Sequence, residues 1–200
     1  MPVKPEREYR TLLIPLLMVD KEKRFDTDYY IEGYAATWDK YPLYEDKNGI
    51  VYEQFLPEAF LGTDMSDVIM QYNHTGRVFA RNSNGTLIVE PDDKGLFIAA
   101  DLKSTEGSRN LFEDISTGLI TKMSWGFLPD NNSIEYNRAT NTIIHHKIKK
   151  IFDVSAVSIP ANEGTEIYAR SEGNGVIAGW AEECRARAKQ IQKIKLMMEV

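Results

Sequence analysis

His74 in Met70-Gln71-Tyr72-Asn73-His74-Thr75-Gly76 and Ser124 in Lys122-Met123-Ser124-Trp125-Gly126-Phe127 are a base and a hydroxyl, each in a short strand-like segment with a glycine two residues on. Together they suggest a serine hydrolase, because a hydroxyl is a weak nucleophile until a base within about 2.6 to 3.2 Å takes its proton. By strand periodicity Met123, Trp125 and Phe127 share one face, and Lys122, Ser124 and Gly126 share the other. The apolar face is expected to pack inward, and the glycine next to Ser124 on the other face to leave room for a substrate carbonyl. The other histidines are the adjacent His145 and His146, which makes His74 the strongest candidate base. Short spacings of this kind have low specificity: a serine in a strand is usually a small residue, and a histidine near a glycine is usually a turn residue.

Asp153 lies within Ile151 to Ile159, a stretch apolar nearly throughout. An uncompensated carboxylate there would be costly to bury, so it needs a partner. In a Ser-His-acid triad the acid orients the imidazole and stabilises the imidazolium formed during attack, and Asp153 suits that role. A hydrogen bond from Ser155 or a backbone amide, or a place at an exposed strand end, would satisfy it equally well.

The elements that must position these residues are mostly strands. Thr11 to Val19 reads as the first, with Pro15 marking an edge or a bulge, and Tyr29 to Trp38 as the next. Asn48-Gly49 signals a tight hairpin before Ile50 to Phe55. Leu87 to Glu90 and Leu96 to Leu102 flank the turn chemistry of Pro91-Asp92-Asp93-Lys94-Gly95. Between Ser104 and Gly118, Leu111, Phe112 and Ile115 fall at helical spacing, with Gly118 where a C-terminal cap would sit. Asp130 to Ser133 reads as an exposed loop, Ile143 to Lys150 as mixed apolar and basic, and Ile151 to Ile159 as a central strand. Residues 171–175 resemble a linker. From Val176 to Val200, apolar residues including Trp180 and Cys184 recur at three- and four-residue steps between basic ones, as in an amphipathic helix or tail.

Two hundred residues predict one domain with a substantial core, and 42% hydrophobic with 27% charged residues is a globular balance. A net charge of -6 argues against a general nucleic-acid binder. The single cysteine, Cys184, excludes an internal disulfide framework. No apolar run approaches the length of a membrane span, and the charged first residues lack the apolar core of a signal peptide. Adjacent His145 and His146 would point to opposite faces of a strand, and no metal-ligand spacing appears, so no metal or other cofactor is expected.

Six blocks in order resemble the prohead maturation proteases of tailed phages. They are Ile31-Glu32-Gly33-Tyr34-Ala35-Ala36-Thr37-Trp38, Glu53-Gln54-Phe55-Leu56-Pro57-Glu58-Ala59-Phe60, Tyr72-Asn73-His74 and Gly95-Leu96-Phe97, then Gly118-Leu119-Ile120 leading into Met123-Ser124-Trp125-Gly126-Phe127, and Phe152 to Asn162. The resemblance spans about residues 8 to 170, which with the first residues would form a protease domain over 1–170. It implies an α+β fold with a mainly antiparallel β-barrel core and a few surrounding helices, similar to the herpesvirus assembly protease. It implies a serine endopeptidase that cuts scaffold and capsid protein, and itself, inside an immature shell in the bacterial host cytoplasm. His74 is then the general base and Ser124 the nucleophile, and Asp153 matches an acidic residue of the family's pattern. The herpesvirus relatives use a second histidine instead, which keeps His145 and His146 open as the third member. Activity that depends on self-association is a further expectation. A catalytically silent scaffold or capsid-binding protein on the same fold stays open, and would show no dependence on Ser124.

Overall fold

The chain divides into two units, Met1–Asn162 and Glu163–Val200, and the computed structural model describes residues 7–12, 23–46 and 49–158 of the first. The expected linker, the amphipathic tail and Cys184 lie outside the described residues, as does most of the predicted strand around Pro15. The described strands are β1 (Glu8–Leu12), β2 (Tyr30–Thr37), β3 (Tyr41–Asp46), β4 (Gly49–Phe55), β5 (Ile69–Tyr72), β6 (Thr75–Arg81), β7 (Leu87–Pro91), β8 (Gly95–Asp101), β9 (Lys122–Pro129), β10 (Ile134–Asn137), β11 (Thr142–His145) and β12 (Ile148–Val157). One α-helix, α1 (Glu106–Ser116), lies between β8 and β9 among the described residues.

The strands form three sheets, in the orders β1-β9-β12-β5-β6, β10-β11-β4-β3 and β2-β8-β7. Most pairs are antiparallel, but β12 runs parallel to β5 and β11 parallel to β4. The expected barrel is therefore corrected. A barrel needs one ladder that returns to its first strand, whereas among the described residues the three ladders end at separate edges. Among the described residues the expected set of surrounding helices comprises α1 and three short 3-10 turns.

Local chemistry explains the pieces that position the site. The side chain of Thr105 caps α1 by accepting from the Ser108 amide at 3.1 Å, worth about 1 kcal/mol in comparable helices. Gly118, at φ 78, follows the helix in the left-handed region that a glycine tolerates, and the chain then enters β9. On β9 the predicted inward face is the observed one: Met123, Trp125 and Phe127 are buried in the main cluster with Phe55, Phe60 and Met70. Trp125 and Phe127 stack with ring centroids 4.2 Å apart, and Phe55 meets them edge-on at 5.0 and 5.3 Å.

β12, the predicted central strand, lies between β9 and β5, and the position of Asp153 depends on a bulge in it. Ile151 pairs with Phe127, but Asp153 pairs with Gly126, so Phe152 is an extra residue in the ladder. Residues directly opposite share a face. Without the extra residue Asp153 would face Trp125 and point into the aromatic core. With it, Ile151 and Val154 fill the core while Asp153 and Ser155 emerge on the other face, beside Gly126 and Ser124.

Candidate active site

On that second face Ser124 lies opposite Ser155, and Asp153 lies opposite Gly126, one side-chain repeat away along the ladder. Such diagonal neighbours are about 7 to 8 Å apart between backbones, a gap that an imidazole with a hydrogen bond at each nitrogen can bridge. His74 does so from the far side of β12. Its Nδ1 is 2.5 Å from Asp153 Oδ1 and its Nε2 is 2.6 Å from Ser124 Oγ. An ionised carboxylate can only accept, which puts the imidazole proton on Nδ1 and leaves Nε2 free to accept from the serine hydroxyl.

His74 is not in a strand. Tyr72 of β5 pairs with Thr75 of β6, and Asn73 and His74 form the two-residue turn between them, with φ of 51 and 58. Both values are positive, as in the tight turns that match the twist of a hairpin, and asparagine adopts this region more readily than most residues. Asn73 also latches the turn. Its amide donates to Ala156 O at 3.0 Å, and its Oδ1 accepts from the Ser158 amide at 3.1 Å. The hairpin tip is thereby fixed to the end of β12, over the acid.

The three predicted residues come together, and the two alternatives do not join them. His145 ends β11, buried, with Nε2 2.8 Å from Glu53 Oε1. His146 is exposed, with Nε2 3.0 Å from Glu135 Oε2. Adjacent in sequence at and just beyond the end of β11, they reach carboxylates on different neighbouring strands, β4 and β10. Among the described residues no group of three His, Cys, Asp or Glu could hold a metal ion, and no helix is long and apolar enough to cross a membrane.

One expectation needs correction. The space beside Gly126 is not an open approach to Ser124, which is only 1% exposed. A Cβ at position 126 would lie 2.4 Å from Asp153 Oδ2 and 2.9 Å from Tyr9 Cε1, so the missing side chain makes room for the acid and for a tyrosine. Tyr9 pairs with Gly126 from β1, and its ring meets the His74 ring edge-on with centroids 4.2 Å apart. Arg7, just ahead of β1, places Nη2 3.5 Å from Asp153 Oδ2 and its guanidinium over the bulged Phe152 ring at 4.2 Å.

Ser155 Oγ donates to Asp153 Oδ1 at 2.7 Å, so the partner considered for a structural aspartate and the His74 contact coexist on one oxygen. Ser124 Oγ has one proton and two acceptors in reach, His74 Nε2 at 2.6 Å and Arg10 O at 2.9 Å. Sequence reasoning missed Tyr9 and Arg7, because nothing in an isolated strand reveals what it pairs with.

This arrangement can transfer a proton from Ser124 to His74 while Asp153 holds the imidazole, which is the chemistry of acyl transfer through a serine. A family model described as caudovirus prohead serine protease matches residues 17–175. Among solved structures, the bacteriophage T4 capsid assembly protease gp21 aligns with a TM-score of 0.46 at 14% identity, covering 79% of this chain and 100% of that one. No curated protein matches the chain.

Proposed function

From the premise that this chain belongs to the caudovirus prohead serine protease family, and is a serine protease of prohead maturation, we propose that it cleaves scaffold and capsid protein through Ser124, His74 and Asp153. The observation that carries this reading is the continuous chain from Asp153 Oδ1 through both nitrogens of His74 to Ser124 Oγ, with separations of 2.5 and 2.6 Å. His74 Nε2 takes the proton as Ser124 Oγ attacks the scissile carbonyl, and the imidazolium is stabilised by Asp153. The proton then passes to the departing amine, leaving an acyl-enzyme. Water resolves it, with His74 again as the base. The family's setting puts this chemistry inside the prohead, where the shell and scaffold proteins are the peptide bonds at hand. Cleavage of the protease by itself, and a docking role for residues 176–200, extend the same reading.

Wild type and Ser124→Ala, each co-expressed with its capsid and scaffold partners and measured by intact-protein mass spectrometry, test it. Fragments are expected with wild type alone, because loss of the nucleophile in comparable triads lowers turnover on the order of a million-fold. Equal fragments from both would move the nucleophile elsewhere, and intact partners in both, within proper shells, would favour a silent scaffold.

A further inference from the structure

We propose that Tyr9 is a positioning residue for His74, so that β1, which lies ahead of the residues matched by the family model, is part of the working site. The proposal rests on the reading of His74 as the general base. The two hydrogen bonds of His74 leave from opposite sides of the imidazole, to Asp153 and to Ser124. They hold two points of the ring, and its covalent tether to the Asn73-His74 turn holds a third, but none of the three bears on its flank. A contact on the flank limits the tilt that the turn and side-chain torsions would still allow, and Tyr9 supplies it: the rings meet at 4.2 Å between centroids with an interplanar angle of 62°. Edge-to-face contacts of this kind are favoured by the charge distribution of aromatic rings.

Three further features support Tyr9 in this place. Gly126 leaves the space into which the tyrosine fits, since a Cβ there would be 2.9 Å from the ring. Arg7 Nη1 donates to the Tyr9 hydroxyl at 3.3 Å, on the same side as its contact with Asp153. The next residue on β1, Arg10, turns to the other face and pairs with buried Glu53, Nη2 donating to Oε1 at 2.8 Å. That pair ties the strand down. A competing role for β1 is a strap that merely covers Ser124, whose hydroxyl lies 2.9 Å from Arg10 O. Peeling the strand away would leave the Glu53 carboxylate buried without its cation, which is strongly unfavourable, so β1 is better read as a fixed wall.

The test compares full-length wild type, Tyr9→Phe, Tyr9→Leu and Ser124→Ala for covalent modification by a fluorophosphonate, in which the serine oxygen bonds to phosphorus, fluoride leaves and the proton goes to the base. The phenylalanine keeps the ring and is expected to react at close to the wild-type rate. The leucine is expected to lower the limiting rate on the order of 10- to 100-fold with little change in half-saturating concentration, the scale that small misplacements of a catalytic group produce, while its thermal transition shows a folded protein. An unchanged limiting rate in folded Tyr9→Leu overturns the proposal, and a faster one overturns it in favour of the strap. Wild type that does not react at Ser124 overturns the nucleophile assignment and Tyr9 with it, whereas reactive wild type beside unchanged Tyr9→Leu overturns Tyr9 alone. Should the leucine variant not fold, nuclear Overhauser contacts between the Tyr9 and His74 ring protons in wild type are expected. Their absence overturns the proposal.

Discussion

His74 and His145 each sit against one buried carboxylate, Asp153 Oδ1 at 2.5 Å and Glu53 Oε1 at 2.8 Å, and neighbouring residues of β1 serve the two clusters, Tyr9 one and Arg10 the other. In the first cluster the second imidazole nitrogen faces a hydroxyl. In the second, among the described residues, His145 Nδ1 has no hydrogen-bond partner. The carboxylates differ as well. Glu53 is occupied by the Arg10 guanidinium, the Tyr41 hydroxyl and His145. Burial alone would raise its pKa, but the charge of Arg10 and the hydrogen bond from His145 hold it well below the usual carboxylate range. Burial, with the charge of Glu53, pushes the Tyr41 hydroxyl well above its ordinary value. Asp153 instead keeps Oδ2 without a hydrogen bond among the described residues, with the Arg7 guanidinium 3.5 Å away, while Oδ1 takes both hydrogen-bond contacts, His74 and Ser155. A histidine beside a buried acid is common structural furniture; it becomes chemistry when the other nitrogen is aimed at a group that can lose a proton.

The sharpest way to break this comparison is to substitute the two clusters in parallel. Asp153→Asn is expected to lower kcat/KM on the order of ten-thousand-fold, as loss of the orienting acid does in other triads, while His145→Gln keeps turnover within a few-fold and lowers thermal stability. A loss from His145→Gln as large as that from Asp153→Asn would end the distinction.

Gly126→Ala should cost about 100-fold in the rate of Ser124 modification, because the new methyl occupies space held by Asp153 Oδ2 and the Tyr9 ring. A wild-type rate in a folded Gly126→Ala protein would show that neither group needs its present place.

Glu53→Gln is expected to act on stability and hardly on catalysis, lowering unfolding free energy by about 3 kcal/mol as the buried Arg10 loses its counter-charge. Its pH signature follows from the depressed folded pKa. Below its ordinary value of 4.5 the unfolded chain takes up a proton that folded Glu53 refuses. The stabilisation is therefore complete above that pH and is lost as pH falls toward the folded value. Denaturant titrations from pH 7 to pH 3 should show a shallower acid decline in the variant than in wild type.

Much of this site was legible in the sequence, for identifiable reasons. Alternation on β9 gave the face of Ser124, since Met123, Trp125 and Phe127 have one place to go. Gly118 marked the end of the helix, and an aspartate in an apolar stretch demanded a partner. What was not legible depends on pairing. The barrel did not form because closure is a property of ladders between distant segments. His74 reads as a strand residue until Tyr72 and Thr75 are seen to pair across it, and Tyr9 has no signal until its strand lies beside Gly126. The open approach expected beside Gly126 failed similarly, because the occupants of a glycine's space come from elsewhere in the chain.

The unpaired residue at Phe152, at the second of two register shifts in the β12–β9 ladder, acts as a phase slip in the strand's two-beat pattern. Immediately before it Ile151 belongs to the interior; after it the beat is inverted, and Asp153 falls on the face of Gly126 and Ser124. Every later position of the strand inherits that inversion, including Ser155, which braces the acid, and Ala156, whose carbonyl holds the turn that carries the base. Asp153, Ser155 and the turn that carries His74 are thus kept in mutual alignment by the count between Ile151 and Asp153, and loss of the extra residue there would not loosen the site by degrees but exchange its inside for its outside.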